Sequence, residues 1–165
     1  MKLEKTAAIA EIVSSIAIVV TLAYLAIQTQ QNTRAINAGA LQALFGSGQQ
    51  ELEFLASNPD IEMLYWKESL SAEESVRLSL SLIYTLRGKE HTWIQFNNGV
   101  IDRISLDSLN SPIPSILSSR RARMFWESTG QDEFEPGFVA YVNNMLENVL
   151  PQDRSRLLMF EDDAH

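Results

Sequence analysis

Residues Thr6–Ile27 read TAAIAEIVSSIAIVVTLAYLAI, a run of apolar and small residues with one charge, Glu11. At 1.5 Å of rise per residue, Ala7–Ile27 makes a helix about 30 Å long, the thickness of a bilayer's hydrocarbon core. Three structures compete for such a run. A cleaved signal peptide calls for a shorter apolar core and a small-x-small exit, whereas this run ends Leu25-Ala26-Ile27-Gln28. The core helix of a soluble protein is apolar all round, and Glu11, Ser14, Ser15 and Thr21 are compatible with that. A membrane-spanning anchor fits the length best and is the reading adopted.

Within the run, Ala7, Ala10, Ser14, Ala17 and Thr21 recur at spacings of three and four, continuing to Tyr24. That puts small and hydroxyl side chains in one stripe, while Ile12, Ile16, Val19 and Val20 cover other faces. Small stripes let helices approach closely in lipid, where packing and interhelical hydrogen bonds drive association. Glu11 sits about one turn inside the run, where a carboxylate reaches the headgroup layer or meets a partner helix. The candidate helix interface is therefore Ala7, Ala10, Glu11, Ser14, Ala17, Thr21 and Tyr24. Lys2 and Lys5 on one flank against Arg34 on the other lean only slightly toward a cytoplasmic N-terminus. The side on which the remaining chain lies is left undetermined.

Charge divides the 165 residues unevenly. Lys2, Lys5, Glu4 and Glu11 cancel, so the net charge of −8 belongs to the chain behind the anchor. A domain that acidic is a poor nucleic-acid binder and is repelled by anionic headgroups. The chain has no cysteine, which excludes disulfides and thiol chemistry. Few Gly and Pro and little β-branched alternation point to an all-α protein: one transmembrane helix, then a small helical bundle-like domain. The expected organisation is an anchor over residues 1–32, a helical soluble domain over 33–150, and an acidic, fraying tail over 151–165.

The anchor is expected to continue past Gln28 toward Phe45 and, at Gly46-Ser47-Gly48, either to break or to continue with a glycine kink. A short helix over 49–56 stops at Asn58-Pro59, with Asn58 capping the next helix over 59–69. Ser71-Ala72-Glu73-Glu74 is a capping box opening the longest soluble helix, about residues 72–98, interrupted at Gly88 and closed by Gly99. Leu78, Leu82, Ile83, Leu86, Trp93 and Ile94 recur at helical spacing as its buried face. Residues 101–115, with two prolines and several serines, read as a loop with at most one helical turn. A basic segment, 118–129, precedes a last helix from Pro136 that packs Phe138, Val142, Met145, Leu146 and Val149. Trp66, Trp93, Phe96, Phe125, Trp126, Phe138 and Tyr141 are expected in the core.

The segments EIVSSIAIVV (11–20), LAYLAIQ (22–28) and QNTR (31–34) resemble the opening of an uncharacterised bacterial family of small proteins. The resemblance continues more weakly through Phe96–Gly99, Phe125-Trp126 and Phe138–Val142. It implies one N-terminal membrane helix and a helical domain in the bacterial inner membrane. No activity comes with it.

Chemistry-bearing constellations are few. His91 lacks the Glu-x-x-His partner of a helical metal site, since Gly88 stands three residues before it. With no Cys and one useful His, no zinc, haem or other cofactor is expected. Glu90 and His91 point in different directions on a helix, whereas Arg87 shares the face of His91. Nucleophile elbows, phosphate loops and dinucleotide fingerprints do not occur. Arg120, Arg121 and Arg123 form the one basic cluster, suited either to an anion or partner carboxylates or to internal pairing with acids such as Glu127. The leading expectation is a membrane-anchored accessory or scaffold protein, not an enzyme, whose partners are the bilayer and itself or another membrane protein. The alternative is a membrane-bound sensor with a ligand pocket near His91, Trp93 and the arginines.

Overall fold

A computed structural model describes residues 2–152, with side chains from Ala10 onward. It is all helical, with no strand among the described residues. The chain forms two compact units, residues 1–40 and 41–165. Of the acidic tail expected over 151–165, residues 153–165 lie outside the described residues.

The first unit is the leading part of α1 (Lys2–Ser57). From Ala10 to Ile36 every side chain of it is exposed. Several of its hydroxyls are satisfied within the helix: Ser15 donates to Glu11 O at 2.9 Å and Thr21 to Ala17 O at 2.8 Å. Such back-bonding uses the hydroxyl protons of these residues within the helix.

The second unit begins within α1. Of the two outcomes expected at Gly46-Ser47-Gly48, the break does not occur, and the helix continues to Ser57. Glycines at interior positions cost about 1 kcal/mol each. Here Leu44 is buried against Ile101 and Leu106, and Ser47 donates to Leu44 O at 2.8 Å. That packing outweighs the local preference. Pro59 ends the helix instead, because proline disfavours helical geometry in the residue before it. Asn58 occupies the N-cap position of α2 (Pro59–Leu64) but makes no side-chain cap there. Its amide donates backwards to Phe54 O at 2.9 Å, closing α1. α2 is also shorter than the helix expected to residue 69.

α3 (Ala72–Asn97) starts at the foreseen capping box: Glu74 N donates to Ser71 Oγ at 3.2 Å and Ser71 N to Glu74 Oε2 at 2.9 Å. It passes through Gly88 without a break, contrary to expectation. Gly99, at φ +70°, closes it as a Schellman motif, with Gly99 N donating to Phe96 O and Val100 N to Gln95 O.

The segment read as a loop is largely helical: α4 (Arg103–Asn110) and α5 (Ile113–Ile116). Asp102 caps α4, its Oδ1 accepting from Ser105 N at 2.8 Å, which holds the Asp102 carboxyl below its usual range. Pro112 and Pro114 stand at the start of α5, where a missing N–H breaks no intrahelical bond. Sequence reading took these prolines as helix breakers, whereas they serve as helix openers.

α6 (Arg120–Ser128) is capped by Ser119, and α7 (Pro136–Leu146) by Glu135, whose Oε2 accepts from Phe138 N at 2.9 Å. A 3-10 turn, Gly130–Glu133, joins them. Leu78, Leu82 and Leu86 of α3 pack with Ile113, Leu117, Trp126, Phe138 and Val142 in the main core. A smaller cluster gathers Leu44, Ile101 and Leu106, and Trp93 and Tyr141 pack against both. Of the seven aromatics expected inside, Trp126 and Phe138 are fully buried and the other five are half-buried.

Candidate interaction surfaces

Each predicted residue has a definite place. Ala10, Glu11, Ser14, Ala17, Thr21 and Tyr24 are exposed on α1. The side chain of Ala7 lies outside the described residues. The helix from Ala10 is long and apolar enough to cross a membrane, and none of that apolar window is buried by the chain. A core helix would be covered; this one is not.

The arginines separate into two roles. Arg121 donates through Nε to Lys67 O at 2.8 Å and through Nη2 to Glu68 O at 2.6 Å. Those carbonyls belong to the turn after α2, so the guanidinium staples that turn to α6. Arg123 donates to Leu117 O at 3.3 Å and to Val149 O at 3.0 Å, holding the segments before α6 and after α7. Internal pairing is thus met by backbone carbonyls where carboxylates such as Glu127 were expected. The planar five-donor fork of arginine suits carbonyls left over at turns and helix ends. Arg120 and Arg121 line a groove of about 480 Å³ with Tyr65, Trp66 and Met124. Burial pushes the Tyr65 phenol up to about 12, with a Ser81 hydrogen bond opposing and Glu62 and Glu51 assisting.

His91 is exposed, its Nε2 3.1 Å from Gln95 Nε2 on the next turn. Neither His91 nor Trp93 lines the grooves that hold the arginines. Among the described residues no cluster of three or more His, Asp or Glu is placed to hold a metal.

Two polar features escaped sequence reading. Arg87 pairs with Glu90 at 2.7 Å instead of reaching His91, and its guanidinium lies 4.8 Å over the Phe134 ring. Glu90 is buried and accepts from Glu135 N at 2.7 Å, joining α3 to the start of α7. The signal was present: Glu90 continues the Leu78, Leu82, Leu86 register, and a carboxylate in an apolar stripe needs donors. The second feature is Lys89 with Glu51, joined at 3.3 Å between α3 and α1.

Compared with family models, with curated proteins and with solved structures, the chain matches none.

Proposed function

We propose that the chain is a single-pass protein of a bacterial cytoplasmic membrane that works by binding, not catalysis. Its anchor stripe pairs with a second copy or another membrane protein, making it an accessory subunit or scaffold. The observation that carries this reading is the apolar span of α1, whose side chains from Ala10 to Ile36 are all exposed. Apolar surface on that scale has to be covered by lipid or by another chain. The small side chains of Ala10, Ser14 and Ala17 permit close helix approach, and the back-bonded Thr21 makes that face one of packing.

Single cysteines along α1, oxidised in native membranes, test the stripe. Cysteines at Ser14 and Thr21 are expected to cross-link, to the same chain or to a co-purifying one, well ahead of those at Ile16 and Val20. Equal yields at all four positions remove the stripe as an interface.

A further inference from the structure

A cleft of about 270 Å³ opens between the later part of α1, the middle of α3 and the end of α4. Its lining includes Gly48 and Gly88, Leu44 and Leu109, the ion pair of Glu51 with Lys89, and Arg87, whose charge is paired with Glu90. Neither glycine is demanded by the backbone, since only Gly99 has positive φ among the described residues. Packing does not demand them either. A Cβ on Gly48 would meet nothing within 4 Å, and one on Gly88 only Glu51 Oε2 at 3.9 Å. Two helix-interior glycines, each costing about 1 kcal/mol against alanine, therefore leave open space beside the ion pair.

The pair itself has spare capacity. Its side chains are only 12% and 15% exposed, yet the Nζ–Oε2 distance is 3.3 Å. Charge-assisted bonds close to about 2.7–2.9 Å, as Arg87 and Glu90 do at 2.7 Å. Lys89 carries three protons and Glu51 two oxygens, and their single bond uses one of each. Opposite charges, largely withdrawn from bulk water, thus stand side by side on the lining of a cleft with apolar flanks. The volume sets the scale of an occupant. It holds roughly nine waters at about 30 Å³ each and lies just below the range of about 300–1,000 Å³ for drug-sized ligands. Lipids and nucleotides are too large.

We propose that this cleft binds a small zwitterion of the α-amino-acid class. The carboxylate takes the free protons of Lys89, the ammonium donates to Glu51, and the ligand's side chain rests on Leu44 and Leu109. This site goes beyond the membrane-scaffold reading and does not depend on it.

The test is calorimetry and thermal unfolding on the full chain in detergent, with the small natural amino acids as probes. Propionate and propylamine, each carrying one of the two charges, are the comparators. At least one amino acid is expected to bind at millimolar concentration or below and to raise the unfolding temperature. Each comparator should bind at least about tenfold more weakly, and Lys89→Met should abolish binding. Gly48→Leu is expected to fill the cleft and remove binding while keeping or raising stability, whereas Gly39→Leu, exposed on the same helix, keeps binding. The proposal is overturned if no amino acid binds, if propionate matches them, or if Gly48→Leu binds as well as the parent.

Discussion

α1 and α3 are the two longest helices, and their apolar side chains meet different surroundings. Along α1 from Ala10 to Ile36, isoleucine, valine and leucine occupy every side and nothing in the described residues covers them. Along α3 the apolar residues keep to one stripe, and Leu82 and Leu86 are completely buried. A helix with one apolar face supplies part of a core; a helix apolar all round has to be covered on every side, by protein or by lipid. The difference teaches that one sequence can hold two separate hydrophobic problems, one solved by the domain's own folding and one that the described residues leave open.

The largest effect expected from breaking this contrast is on the anchor. Replacing Val19 and Val20 together by arginine costs about 2.5–3.5 kcal/mol per residue at a helix centre in the bilayer. The chain should leave the carbonate-resistant membrane fraction, while thermal unfolding of the domain stays as in the parent. Retention in the membrane would show that lipid does not surround this segment.

Next comes the core. Phe138→Ala should destabilise the domain by about 3–5 kcal/mol in urea unfolding, because Phe138 is fully buried among Trp93, Phe134 and Tyr141. Membrane retention should not change.

Alkaline pH weakens the domain through Tyr65. The Tyr65 phenol stands near 12 in the folded chain against an ordinary value of 10, because burial disfavours phenolate. Between those values the unfolded chain gives up its proton first. Stability is intact below pH 10 and falls as the pH rises toward 12, by on the order of 2 kcal/mol. Tyr65→Phe should flatten this limb in unfolding measured at stepped pH.

The smallest effect sharpens the end of α3. Gly99→Ala forces a Cβ into the left-handed region at φ +70° and should lower domain stability by about 1 kcal/mol in the same urea assay.

Much of this fold was legible because its punctuation is local. The Ser71–Glu74 capping box, Gly99 and Pro136 each act within a few residues of themselves, so their meaning survives without tertiary knowledge. The glycines at 46 and 48 left two outcomes open, and Gly88 and the prolines at 112 and 114 were misread, because their effect depends on neighbours far along the chain. Leu44 packing on Ile101 keeps α1 going, and Pro112 breaks nothing when it stands before a first turn. The candidate surfaces divide in the same way. The anchor stripe follows from spacing alone, whereas the cleft needs Glu51 and Lys89, 38 positions apart, brought to 3.3 Å.

Glu90 draws the chain's far end into this picture. Its Oε1 receives the N–H of Glu135, 45 positions later, while its other oxygen faces Arg87. A truncated version stopping ahead of Glu135 would strand a carboxylate in the register of Leu82 and Leu86 with half its donors gone. The domain consequently cannot dispense with the segment from Glu135 through α7: nascent or clipped forms lacking it should be poor competitors for the folded state.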